Sequence, residues 1–366
     1  MVPTRELDGV SFDQGLYPDG DGNATAVLAA PIQRSSEVTL MPWRYRGTEG
    51  WAELPSVPAD RTSEYPPLML GGAGGRAVHV KILKEERGAE PPIHRIVVSR
   101  YEPAAGWSSP EVLDETTYAY GITQPRAALG GDGSVLVVWN HHESSSDVGA
   151  IVFRHFDAAA GWTARAPMPM ALPDRLLADG HGGMLALTYL HDRKTLLLQP
   201  FGANGWGEAK TIATEITSLS NGGADHHCNA AMSKGGAAMV TWSEWGRVRA
   251  AYFSQADGLK LLDVPAPEGQ SSSGGYAPLV GLDAQGTATV VWNANPPDSR
   301  MPNWRDTVYA RYNPAKGWTA VARIESQRNL DSAPLDLAVS DAGPGAVMWT
   351  EGAKDVPISY WVATLP

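Results

Sequence analysis

The chain has 366 residues, 43% of them hydrophobic and only 19% charged, which excludes a disordered chain and a long coiled coil. Acidic residues outnumber basic ones 40 to 29, for a formal net charge of −11, so no nucleic acid partner is expected. A single cysteine, Cys228, excludes an internal disulfide and a cysteine-rich zinc module, and no apolar run approaches the ~20 residues of a membrane-spanning helix.

The opening stretch from Met1 to Leu7 lacks the apolar core of a signal peptide, so the expectation is a soluble protein of unassigned compartment, with no membrane partner. Beyond it the chain repeats itself. Asp21-Gly22-Asn23 leads to Val27-Leu28, Gly74-Gly75 to Val80-Lys81, and Asp132-Gly133 to Val138-Trp139. Gly182-Gly183 leads to Thr188-Tyr189, Gly235-Gly236 to Thr241-Trp242, Gly286 to Val291-Trp292, and Gly343 to Met348-Trp349. These anchors fall 50 to 58 residues apart and account for the whole chain in seven units.

A second signal follows most anchors by about 20 residues: an aromatic, a short turn, then Gly-Trp. It reads Tyr45 to Gly50-Trp51, Tyr101 to Gly106-Trp107, Phe156 to Gly161-Trp162, Phe201 to Gly205-Trp206 and Tyr312 to Gly317-Trp318, with a degenerate copy from Tyr252 to Gly258-Leu259. Each unit thus holds four short strand signals separated by glycine turns, and no segment with a helical period is bounded by caps. The expected class is all-β. Four strands per unit and seven units resemble a seven-bladed β-propeller, expected as a single domain over residues 1–366. Ser340-Asp341-Ala342-Gly343 is only loosely similar to the sialidase Asp box, since Ser340 and Asp341 are adjacent and Trp349 lies six residues past Gly343, so no sialidase activity is expected.

The seventh unit runs out at Pro366 after three strands, from Leu335, over 345–349 and over 358–364. The segment from Val2 to Asp8 matches Ser109–Asp114 in pattern and is expected to close the ring as the missing fourth strand. The recurring tryptophans are expected to pack between blades or to form hairpins, so function is sought where the units differ. In a four-stranded up-and-down blade, the loop after the second strand and the loop entering the first share one face, around the channel mouth.

Those loops hold His141, His142, His191, His226 and His227, five of the nine histidines. Histidine is the usual acid/base group near neutrality and a common metal ligand. A catalytic set of His141, His191, His226, Tyr120, Tyr189, Arg193 and Arg247 is expected, with substrate held by His142, Asp192, Asp225, His227, Glu244, Trp245, Asn293, Tyr276 and Glu351. The expected activity is acid/base chemistry on a carbohydrate or small polar molecule, as a lyase or hydrolase. A lectin and a protein-interaction scaffold are the alternatives. A divalent metal held by His141, His191 and His226 or His227 is a second arrangement of the same residues; the cofactor and the oligomeric state stay unassigned.

Overall fold

The computed structural model describes residues 16–18, 24–31, 38–46, 50–53, 67–118, 121–144, 149–216, 228–244, 247–267, 271–272, 277–295, 305–324, 331–343, 345–353 and 356–365. Among them every regular element is a strand except one turn of 3-10 helix, Ala73–Gly75, which lies within the glycine run between two strands. None of their helices is long and apolar enough to cross a membrane. The described strands form seven antiparallel sheets, each hydrogen-bonded in chain order, which is the up-and-down topology of a β-propeller blade.

The third sheet shows the pattern: Ile122–Leu129, Val135–His141, Ala150–Asp157 and Gly161–Trp162, with Ala166–Pro167 returning to the third strand. In the fifth sheet the outer strand is unbroken, Gly258–Asp263. The seventh has the three strands the sequence predicts, Asp331–Val339, Gly345–Ala353 and Val356–Leu365. Residues 2–8, the expected closing strand, lie outside the described residues.

The glycines that mark the repeat are backbone requirements. Gly133, Gly182, Gly236, Gly286 and Gly343 enter the second strands at φ between +78° and +101°, a region closed to most side chains. In the Gly-Trp hairpins the tryptophan then stacks on the aromatic that ends the third strand: Tyr101 on Trp107 at 5.3 Å, Phe156 on Trp162 at 5.4 Å, Tyr312 on Trp318 at 5.1 Å. A hydroxyl just after the tryptophan pins this hairpin, since Ser108, Thr163 and Thr319 each accept the backbone N–H of Arg100, His155 and Arg311.

The chain divides into two compact units, residues 1–184 with 201–207 and residues 185–200 with 208–366, and the division falls within the strands of the fourth sheet. Inside the first unit the turns entering the second strands are linked in chain order. The Arg44 guanidinium lies against Gly75, Arg76 donates to the Gly131 carbonyl at 3.0 Å, and the Gly131 N–H donates to Asp179 at 2.8 Å. Inside the second unit Gly235 abuts the Ala284 carbonyl, and the Ala284 N–H donates to Asp341 at 3.2 Å.

Side chains alternate between the faces of each sheet, and both faces are covered. Val78, Val80 and Ile82 of the second sheet pack with Val135, Val137 and Trp139 of the third, while Leu136 and Val138 are equally buried on the opposite face. This explains the unbroken apolar run Val135–Trp139. Trp292 likewise packs with Met239 and Tyr252 of the preceding sheet, and Trp349 with Val291, so these tryptophans are core residues between sheets. Cys228 is buried on the first strand of the fifth sheet, opposite Trp242.

Candidate functional site

The second strands outlast the tryptophan that ends their sequence signal. Val135–His141 carries two residues past Trp139, Ala238–Glu244 two past Trp242, and Ala288–Asn295 three past Trp292. Several residues expected in loops therefore sit on strand ends, because the hairpin ladder continues as long as backbone partners are available. His141 is one of them, paired with Ile122 on one side and Ala150 on the other, and it is 7% exposed.

His141 meets a carboxylate that sequence reasoning missed. Asp114 lies on the outer strand Glu111–Thr116 of the second sheet, where a bulge inserts Leu113 between the Val112–Val97 and Asp114–Ile96 pairs. The extra residue lets Leu113 enter the core while Asp114 faces the third sheet. Asp114 Oδ2 lies 2.8 Å from His141 Nδ1 and accepts the indole N–H of Trp139 at 3.1 Å. Arg165 completes the group: its Nη1 lies 2.9 and 3.0 Å from the two Asp114 oxygens and 3.3 Å from both imidazole nitrogens.

Arg165 belongs to the break in the outer strand, between Gly161–Trp162 and Ala166–Pro167. Arg154 holds that break in place, donating from Nε to the Thr163 carbonyl at 2.7 Å and from Nη1 to the Leu113 carbonyl at 3.2 Å. One guanidinium thus ties the segment bearing Arg165 to the strand bearing Asp114. The cluster therefore sits on two sheets of the first unit, braced by core and backbone.

The hydrogen bonds fix the roles of the atoms. A carboxylate only accepts, so Nδ1 carries a proton and donates it to Asp114. Arg165 Nη1 lies equally far from both ring nitrogens, so it sits off the in-plane axis of either nitrogen and is bonded to the carboxylate. Exposure of the side chains is 9% at His141, 10% at Asp114 and 41% at Arg165. The arginine is the outermost member.

Around the cluster the backbone is shaped tightly. The His142 N–H donates to the Gly121 carbonyl at 2.7 Å, extending the ladder, and a Cβ on Gly121 would lie 2.5 Å from Thr116. The His142 ring rests on Gly149, where a Cβ would come within 2.2 Å of it. Gln124 has φ +52° inside a bulge, and its side-chain oxygen accepts a bond from Asn140 at 3.0 Å. Left-handed backbone at a residue other than glycine is strained and recurs at functional sites.

The other expected residues have different fates. Tyr189, expected as a catalytic group at the mouth, is 4% exposed within Met184–Leu190 and donates its hydroxyl to the Ile216 carbonyl at 2.7 Å. Burial also raises its pKa, so it serves as an internal tie. Asn293, expected in a loop, is 3% exposed inside a strand that runs on to Asn295.

His191, Asp192 and Arg193 lie in an exposed turn of the second unit, with the His191 ring edge-on to Tyr189 at 4.7 Å. Asp192 and Arg193 approach to 3.7 Å but are 77% and 74% exposed, so their attraction is screened. Glu244 and Arg247 face each other across the hairpin of the fifth sheet, and Arg249 lies 4.0 Å from Glu244. Glu351 pairs with Ser332 and Ser359 in the seventh sheet. Tyr120, Asp225, His226, His227, Trp245 and Tyr276 lie outside the described residues. Among the described residues no group of three or more His, Cys, Asp or Glu could hold a metal ion.

No family model matches the chain, and no curated protein matches it. Solved structures of similar form include an ulvan lyase of polysaccharide lyase family PL25 bound to a GlcA-Rha3S unit (13% identity, 97% of this chain and 82% of that one, TM-score 0.41). A Penicillium chrysogenum α-L-arabinanase complexed with arabinobiose gives 14% identity over 77% of this chain and 89% of that one, TM-score 0.46. The six-bladed β-propeller fucose lectin of Aleuria aurantia gives 11% identity over 86% and 95%, TM-score 0.44. Likenesses of this degree establish neither blade number nor activity.

Proposed function

We propose that the protein is an acid/base enzyme acting on a carbohydrate or small polar molecule, with His141 as general base, Asp114 as its orienting carboxylate and Arg165 as the cation facing negative charge. The observation that carries this reading is the 2.8 Å contact between His141 Nδ1 and Asp114 Oδ2. It leaves Nε2 as the nitrogen that takes a proton, and the carboxylate then stabilises the imidazolium. Arg165 stands where charge on an adjacent carboxylate or enolate would develop.

Elimination fits this set better than glycoside hydrolysis, which uses two carboxylates flanking the bond. Asp114 is here engaged by His141, Trp139 and Arg165. A lyase acting by proton abstraction is therefore the first reading and a hydrolase the second. His141→Ala and Asp114→Asn are expected to lower kcat at least ~100-fold on a panel of acidic oligosaccharides, without loss of folding. Full turnover in both folded variants would remove the assignment. Binding of a saccharide by the wild type with no turnover at all would favour the lectin.

The same proposal includes a single seven-bladed propeller closed by residues 2–8. Seven up-and-down sheets and a three-stranded last sheet support it, as does a boundary between units that falls inside a sheet rather than in a linker. Removal of residues 1–10 is expected to lower Tm and promote aggregation by exposing a strand edge. An unchanged Tm would oppose closure.

A further inference from the structure

We propose that Arg154 is a positioning residue: by bonding the Leu113 bulge from the neighbouring sheet, it holds Asp114 against His141 and so keeps a proton on Nδ1. This rests on the catalytic reading of the His141–Asp114 pair and adds the residue that sets its geometry.

A regular strand alternates its side chains, so Leu113 and Asp114 could not both face the third sheet. Asp114 would instead share the face of Val112, which is 49% exposed. The bulge removes that conflict, because the ladder passes from Val112–Val97 to Asp114–Ile96 and skips Leu113. A skipped residue leaves its backbone polar groups outside the ladder, where they need other partners. Arg154 supplies one. From Ala150–Asp157, the third strand of the next sheet, its Nη1 donates to the Leu113 carbonyl at 3.2 Å.

The guanidinium is itself held from two further sides. Its Nε donates to the Thr163 carbonyl at 2.7 Å, and its central carbon lies 5.9 Å from the centre of the Trp162 ring. A planar fork can bond both carbonyls at once, which a single ammonium does far less well. The repeat also singles this residue out. Two positions before the aromatic that ends the third strand, the second, fourth, fifth and sixth sheets carry Ser99, Gln199, Ala250 and Ala310, where the third carries Arg154. The scaffold therefore closes its hairpins without an arginine there, and the arginine stands beside the bulge that aims Asp114.

Nitrogen-15 NMR of the imidazoles reads that aim without any substrate. In alkaline buffer, where the ring is neutral, a carboxylate at Nδ1 holds the proton there, whereas a free imidazole favours the Nε2–H tautomer. The His141 signals are assigned by their absence in His141→Gln. The wild type is expected to be predominantly Nδ1–H and Asp114→Ala predominantly Nε2–H. Arg154→Met keeps an aliphatic stem on Trp162 and is expected to shift His141 to predominantly Nε2–H, with Arg154→Lys showing a mixture.

Thr163→Val separates positioning from general loosening. It removes the hydroxyl that bonds the His155 N–H but leaves the Thr163 carbonyl to Arg154, so the wild-type tautomer is expected. An unshifted tautomer in Arg154→Met with native circular dichroism would overturn the proposal, as would an equal shift in Thr163→Val. An Nε2–H ring in the wild type would overturn it together with the pair itself. Full turnover by His141→Ala would remove the catalytic reading alone, since the tautomer is read without turnover.

Discussion

Two tryptophans at the same position of the repeat show how the first unit differs from the second. Trp139 in the third sheet is fully buried and gives its indole N–H to Asp114; Trp242 in the fifth is 3% exposed, and its Nε1 has no hydrogen-bond partner among the described residues. The contrast extends to their surroundings. Buried polar groups of the second and third sheets include His79, His94 and His141, whereas those of the fifth and sixth are mostly Thr241, Ser243, Thr289, Asn293 and Thr307. The repeat supplies the same apolar scaffold to both; the first buries three histidines inside it, while the second buries Asp283, which is paired with Arg311. An ionisable group inside a core is costly unless partnered, so its presence there points to use rather than packing.

The comparison breaks most visibly at the tryptophans themselves. Trp139→Ala and Trp242→Ala are each expected to cost about 3–5 kcal/mol in denaturant unfolding, since both are buried between strands. Losses in this range at both sites would show that the scaffold is shared.

Acid provides the next separation. His79 is 4% exposed on the second sheet, and burial, aided by Lys81, lowers its pKa from 6.5 to about 4. The folded state thus binds this proton less readily than the unfolded chain. Its stabilising contribution is complete above pH 6.5 and is lost as pH falls towards 4, by roughly 3 kcal/mol in all. His79→Leu should flatten the fall in stability across that window, and an unchanged slope would refute the assignment.

A subtler test substitutes phenylalanine. Trp139→Phe removes a donor from Asp114, whereas Trp242→Phe removes an N–H with no partner among the described residues. The first is expected to cost about 1–2 kcal/mol more than the second. No difference would mean that the Asp114 bond contributes nothing to folding.

The smallest effect concerns the turns. Gly286 and Gly161 both have φ +78°, but a Cβ on Gly286 would lie 2.7 Å from the Tyr252 hydroxyl while one on Gly161 meets nothing. Gly161→Ala should cost about 1 kcal/mol from backbone strain alone, and Gly286→Ala measurably more. Equal thermal shifts would mean that Tyr252 yields without cost.

The turns and hairpins were legible because they are local. A glycine at positive φ and an aromatic six residues before a tryptophan leave the same trace wherever they recur, as Phe156 with Trp162 and Tyr312 with Trp318 do. His141 was legible as a residue type, though not as a buried strand end. One trace of Arg165 was present: Gly161-Trp162-Thr163-Ala164-Arg165 parallels Gly317-Trp318-Thr319-Ala320-Val321, so an arginine replaces a valine in an otherwise repeated segment.

Sequence by itself determined the all-β class of fold, the existence of a repeat, the strand order within each described sheet and the core role of the recurring tryptophans. Each follows from chemistry within about ten residues or from periodicity, which the chain carries in one dimension. Tertiary structure alone decided that Asp114, 27 residues before His141, would face it, that Arg165 would contact both, and that Tyr189 would turn inward to Ile216. Those choices depend on a one-residue bulge beside Leu113 and on how one sheet lies against the next. A bulge changes which face a side chain takes without changing composition or period, so no reading of the chain in one dimension contains it.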